Sequence, residues 1–306
     1  MAAMNTFQRS RGVWLLVLIP GLWLLVFFLV PCLIVLKISL SQTALAQPPY
    51  TPVFDWTEGW AGLTAFFAAL STGNYAALAA DTIYLASYLK SLEVAALATL
   101  MLLLIGYPIA YGIARAGARA QAILILLVIL PFWTSFLIRV YAWITILQHD
   151  GLLNRTLLGL GIIASPVAWL ASDTAIYIGL VYSYLPFMVL PLYATLQKHD
   201  PALLEAAADL GARRWKAFWW VTLPLSWPGI AAGALLCFIP IVGEFVIPDL
   251  LGGSETMMIG QTLWTEFFAN RDWPIASAIA IALLCVILGP IAMWENLRAR
   301  QLQGSA

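Results

Sequence analysis

Long apolar stretches alternate with short polar segments along this chain. A hydrocarbon layer about 30 Å thick is crossed by about 20 apolar helical residues. Six windows meet that requirement: residues 14–36, 91–114, 121–147, 173–195, 223–247 and 275–297. The pattern predicts an all-α integral membrane protein with six transmembrane helices. On this reading residues 1–12 form a short N-terminal segment, 13–300 the six-helix domain and 301–306 a short tail. Ala44-Leu45-Ala46 has the look of a signal-peptidase site, with Arg9 and Arg11 ahead of the first apolar run. That run is much longer than the about 7–15 residues of a signal-peptide core. Lys37 and several polar residues also separate it from Ala44, so a retained helix is expected.

Composition supports the same reading. The chain has 306 residues, 62% hydrophobic and 10% charged, with a mean hydropathy of +0.90. A soluble domain carries about 25% charged residues and would have no way to cover this much apolar surface. Lys+Arg and Asp+Glu are equal at 15 each, so no bulk charge favours nucleic acid. Cys32, Cys237 and Cys285 lie far apart in apolar runs without Cys-x-x-Cys spacing and read as small packing residues. His149 and His199 have no neighbouring ligand set, which argues against a metal site.

The placement of charge predicts orientation. With the N-terminus in the cytoplasm, Arg9, Arg11, Arg115, Arg119, Lys198, Arg213, Arg214, Lys216, Arg298 and Arg300 all fall inside. Lys37, Lys90, Arg139, Arg155 and Arg271 do not. Most acids, namely Asp55, Glu58, Asp81, Asp150, Asp173, Asp249, Glu255, Glu266 and Asp272, then fall outside. Both termini are expected in the cytoplasm. The outer loop 37–90 is rich in Pro and Trp in its first half (Pro48, Pro49, Pro52, Trp56, Trp60) and suits short interfacial helices. The second and third windows are joined by a very short loop, so their helices are expected to be antiparallel neighbours.

The inner loop 198–222 has its own local logic. Asp200 suits an N-cap and Pro201 the first helical position. Leu203 to Leu210 favours helix, and Gly211 is a natural stop. A second short helix should follow from Arg213. The small residues Ala206 to Ala208 would allow close docking against another protein.

The same segment resembles the EAA loop of bacterial ABC importer permeases. That pattern is Glu-Ala-Ala, three residues, Gly, nine residues, then Ile-x-Leu-Pro. Here it reads Glu205-Ala206-Ala207, Gly211 and Val221-x-Leu223-Pro224, with Val for Ile the one departure. The resemblance implies a type I importer permease fold in which this element is the coupling helix that seats on an ATPase. Glu205, Ala206, Ala207 and Gly211 are carried over as coupling residues on that basis. Further strings resemble permeases of the polyamine (spermidine/putrescine) importers, with the putrescine type the most similar. These include Gly106-Tyr107-Pro108, Leu130-Pro131-Phe132-Trp133, Arg139-Val140-Tyr141-Ala142-Trp143, Tyr184-Leu185-Pro186-Phe187 and Gly243-Glu244-Phe245. Asn270-Arg271-Asp272-Trp273-Pro274 extends the likeness over nearly the whole chain.

The resemblance implies an ABC ATPase homodimer, a second homologous permease, an extracytoplasmic polyamine-binding protein and a bacterial inner membrane. The chain lacks a G-x-x-x-x-G-K-[ST] phosphate loop, so ATP and Mg would be bound by the partner ATPase. This chain is expected to need no cofactor and to be no enzyme.

A polycation path calls for acids and aromatic faces. Glu244 lies in Pro240-x-x-Gly243-Glu244-x-x-x-Pro248, where the helix should break. A carboxylate at membrane depth is a functional candidate. Its competing readings are a structural ion pair with Arg139 or a contact to the binding protein. Glu93 follows Lys90 at i,i+3, and that pair is its plainer reading. Asp249 reads as interfacial or path-lining. Trp133, Tyr141, Tyr182 and Tyr184 could present cation–π faces, although most membrane aromatics pack or anchor. Pro131, Pro186 and Pro191 are expected to kink their helices. Arg139, near the outer end of its window, is expected to snorkel to the surface. The remaining alternatives are an ABC permease for another solute and a secondary transporter. An anion carrier would call for a basic residue deep in the spans, and none is evident at this level.

Overall fold

The apolar windows are helices. The computed structural model describes residues 11–53, 59–253 and 256–304. Arg9, Asp55, Trp56, Glu58 and Glu255, cited above, lie outside that set. The chain divides into two units, residues 1–81 with 263–306, and residues 82–262.

In the first unit α1 (Arg11–Leu24) runs through a π-turn (Leu25–Leu29) into α2 (Val30–Ser39). Val17 to Val30 are exposed apolar residues throughout, a surface that hydrocarbon tolerates and water does not. The segment that follows holds a small antiparallel ribbon, β1 (Gln42–Thr43) with β2 (Tyr50–Thr51). Two short helices come next, α3 (Gly59–Ala68) and α4 (Gly73–Ala80). Short helices were expected here. Residues 62–80 are also long and apolar enough by composition to cross a membrane, which the six windows did not include. Asn74 ties α4 to the end of α2, donating to the carbonyls of Ser39 and Ser41 at 2.8 and 2.7 Å.

The second unit begins with α5 (Thr82–Arg115), 34 residues long and therefore about 51 Å at 1.5 Å per residue. It starts well before the expected position 91, because 82–90 has no helix breaker. α6 (Ala118–Ile129) ends in a 3-10 turn (Leu130–Trp133) at Pro131 and is followed by α7 (Phe136–Leu147) and α8 (Leu152–Gly159). The third window is therefore not one straight helix: residues 118–133 and 136–159 meet at 91°. Pro131 supplies no N–H, and Thr134 is extended, so the hydrogen-bond ladder stops there. α9 (Asp173–Leu196) runs unbroken with Pro186 and Pro191 inside it.

α10 (Ala202–Asp209) and α11 (Arg214–Ala217) lie in the 198–222 loop. A π-turn (Phe218–Thr222) and α12 (Leu223–Leu225) lead into α13 (Trp227–Val242). Residues 214–225 and 227–242 meet at 63°. The helix breaks at Gly243 and restarts as α14 (Val246–Leu251). α15 (Ile259–Trp264) closes this unit, and α16 (Trp273–Gly304) belongs to the first, where it packs on α2 and α4.

The core of the second unit is the three-way packing of α5, α9 and α13. Lipid tails are as apolar as leucine, so such packing rests on close fit. Two glycines provide it. A Cβ at Gly106 on α5 would lie 2.9 Å from Cγ of Met188, and one at Gly233 on α13 would lie 2.8 Å from its Sδ. Met188, on α9, is fully buried between them. Tyr107 and Ser226 add a buried hydroxyl pair at 2.8 Å between α5 and the start of α13.

Candidate functional site

The 198–222 loop is ordered at both ends by its own local hydrogen bonds. The Asp200 carboxylate accepts the Ala202 N–H at 2.9 Å, although the N-cap position of α10 is Pro201 and not the expected Asp200. At the other end Ala212 N–H donates to the Ala207 carbonyl at 2.9 Å and Gly211 N–H to the Ala208 carbonyl at 2.8 Å. Gly211 has φ +80°. This is a Schellman stop, which needs a residue at ease in the left-handed region. Glu205, Ala206 and Ala208 are exposed and Ala207 partly so. Leu203 and Leu210 are exposed apolar residues beside them. The helix thus presents a small-residue face with an acid on it.

Glu244 sits at the break between α13 and α14. Tyr184 on α9 donates its phenol to Glu244 Oε2 at 2.6 Å. The other carboxylate oxygen accepts the Val246 N–H at 3.1 Å and the Ile247 N–H at 3.4 Å. Glu244 therefore closes the N-terminus of α14, where a negative charge is favoured. The break leaves backbone N–H groups without helical partners, and the carboxylate fills two of them.

Arg139 departs from expectation. It is 9% exposed, not extended to the surface, because the 91° bend turns α7 back into the unit. It makes no ion pair with Glu244 among the described residues. Its Nε and Nη1 are buried without an acceptor, and its guanidinium lies 5.5 Å from the Phe132 ring and 5.7 Å from the Phe136 ring. Arg139 and Tyr184 line one cavity of about 510 Å³, with Ser183, Phe187 and Pro240 also on its wall. Sequence position alone carried no sign of this burial.

Glu93 belongs to a different cluster. Lys90 lies 3.6 Å from Glu93 and 3.0 Å from Asp173, and Thr256 donates to Asp173. This joins α5, α9 and the segment before α15. Asp173 and Thr256 were not foreseen as part of it. Asp249 is exposed in the first turn of α14. Trp133 and Tyr141 are exposed at 75% and 56%. Tyr182 packs edge-on against Trp143 at 5.5 Å and lines a second, apolar cavity of about 410 Å³ with Pro108 and Pro131. Of the expected path residues, the fold brings Tyr184 and Glu244 into contact. No group of three or more His, Cys, Asp or Glu positioned to hold a metal occurs among the described residues.

The fold is a helical membrane bundle with an exposed helix pair in the 198–222 loop. Residues 103–294 match the family model of the binding-protein-dependent transport system inner membrane component. The chain belongs to that family, and is a non-catalytic, multi-pass permease subunit of an ABC importer. It is 38% identical to the spermidine/putrescine transport system permease protein PotB of Haemophilus influenzae, over 97% of this chain and 96% of that one. It is 43% identical to PotB of Escherichia coli K12, over 70% of this chain and 78% of that one. Among solved structures it is similar in fold to a chain of a bacterial alginate ABC transporter in complex with a pentasaccharide-bound periplasmic protein. That match has a TM-score of 0.67 and 18% identity, covering 96% of each chain. The expected resemblance to polyamine importer permeases is met by these relatives.

Proposed function

We propose that this chain forms, with a second homologous permease, the path by which a polyamine crosses the bacterial inner membrane. Putrescine is the favoured substrate and spermidine the second. The observation that carries this reading is the Tyr184–Glu244 pair. A half-buried carboxylate beside a phenol ring, at a break in a membrane helix, offers both the charge and the aromatic face that an alkylammonium takes. The names of the PotB relatives support the same substrate class.

The remaining parts follow from the family. An extracytoplasmic binding protein delivers the substrate. A homodimeric ATPase binds ATP and Mg, and α10, with Glu205, Ala206, Ala207 and Gly211, seats on it. ATP-driven closure of the ATPase then shifts the permease between inward- and outward-open states, because the closed ATPase favours one of them. Both termini and the 198–222 loop face the cytoplasm, and loop 37–90 faces outward. Glu93, Asp249, Trp133, Tyr141 and Tyr182 are secondary candidates for the path wall.

The test is ATP-dependent uptake of labelled putrescine into vesicles holding the full complex, with spermidine as competitor and with this chain present or omitted. Uptake that needs this chain and resists excess spermidine supports a putrescine importer. A complex that assembles and hydrolyses ATP but moves neither polyamine rules the substrate out. A second reading, import of an anionic solute, is favoured by the buried Arg139. The same vesicles test it with labelled molybdate or sulfate.

A further inference from the structure

We propose that Arg139 is a resident counter-cation for Glu244 in the alternate state of the transport cycle, where it competes with a substrate cation for the carboxylate. This rests on the reading above that Glu244 meets the substrate. The starting point is an imbalance of charge. Guanidinium stays charged in proteins, and a buried charge needs an opposite partner. Nε and Nη1 of Arg139 have none, and the nearby Phe132 and Phe136 faces compensate a cation only in part.

The chain itself holds a carboxylate on a neighbouring element. Nε and Nη1 are closed to solvent in this conformation. Glu244 is anchored to Tyr184, and Tyr184 shares a cavity wall with Arg139. Glu244 also caps α14, and α14 packs against α7, which carries Arg139. The two charges thus stand on contacting elements without being paired.

Glu244 sits where the chain has no helical ladder to hold it, between Val242 and Val246. Element ends of this kind absorb the backbone rotation of a conformational change. The structure holds the carboxylate on Tyr184. In the alternate state of the cycle it turns to Arg139. A substrate ammonium then competes with Arg139 for one carboxylate. If the Arg139-paired state holds most of the empty carrier, apparent substrate affinity falls by the unpaired fraction. Empty cycling is opposed by the same competition.

The experiment uses the full complex in vesicles and labelled putrescine. Arg139→Met suits an apolar, aromatic cavity and removes the competitor. The expected result is a KM lowered about tenfold, as for a carboxylate about 90% occupied by the arginine. Arg139→Lys, which keeps a charge, should lower KM less than about threefold. In a Glu244→Gln background Arg139→Met should shift KM no further. A purely structural arginine would instead lower Vmax and yield when removed. An unchanged or raised KM in Arg139→Met overturns the proposal, as does an equal fall in the Glu244→Gln background.

Should the wild-type complex move no polyamine, the substrate reading fails, and the pair is read on substrate-free ATP hydrolysis instead. There Arg139→Met should change the rate at least about threefold with Glu244 present and not in the Glu244→Gln background. The same change in both backgrounds, or none in either, overturns the proposal.

Discussion

Tyr184 donates its phenol to Glu244 across 2.6 Å, joining α9 to the break that precedes α14. Hydrogen bonds to a charged group contribute about 1.5–3 kcal/mol. Tyr184→Phe removes the donor and keeps the ring. Putrescine uptake in vesicles should fall about 10–150-fold, with amounts of assembled complex unchanged. Uptake at the wild-type rate would show that the bond has no part in transport.

Gly211 holds φ +80° at the Schellman stop of α10. A side chain there costs about 1–2 kcal/mol for most residues, and Asn is the mildest replacement. Gly211→Val should loosen the turn and lower uptake per ATP hydrolysed, whereas Gly211→Asn should stay close to wild type. The ratio of the two rates in reconstituted vesicles is the measurement. Equal ratios for Val and Asn would remove the conformational argument.

Glu205 is exposed on the same helix. Reversing its charge alters the surface offered to the ATPase without touching the membrane core. Glu205→Arg should leave membrane insertion intact and uncouple hydrolysis from uptake. Normal uptake in this variant would sink the coupling assignment.

Met188 fills the space between Gly106 and Gly233. Gly106→Leu overfills it and should destabilise the bundle by about 1–3 kcal/mol, read as earlier thermal unfolding in detergent. Adding Met188→Ala, which frees volume on the facing helix, should restore part of the loss. Two additive losses would mean that the pair does not share this space.

Leu210 and Leu45 are both fully solvent-facing, at 89% and 110% exposure, and orientation assigns them to opposite sides. In a background with Cys32, Cys237 and Cys285 replaced, Leu210→Cys should react with a membrane-impermeant maleimide only in inside-out vesicles. Leu45→Cys should react only in right-side-out cells. The reverse result would invert the topology drawn from basic residues.

Much of this was legible in residue order because its causes are local. The six apolar windows required only length and composition; each holds helix, although the third and fifth are bent. Gly211 ends α10 where short-range capping rules put it. Pro240 and Gly243 signalled the break that exposes Glu244. Pro186 and Pro191 were weaker signals, since α9 stays unbroken through both. Residues 62–80 fall outside the six windows because Ser71, Thr72 and Asn74 dilute their hydropathy.

Sequence by itself determined that this protein lives in a bilayer, that its 198–222 loop resembles the EAA pattern, and that its family is that of importer permeases. Each depends on composition or on motifs a few residues long. Tertiary structure alone decided which charges meet. Arg139 is buried because α7 turns at Thr134, and Glu244 finds Tyr184, sixty positions earlier, because α9 and α13 pack through Met188 and Gly233. Lys90 finds Asp173 for the similar reason that α5 lies on α9. Contacts between distant residues depend on how helices bend and cross, and side-chain volume across the whole bundle sets that geometry.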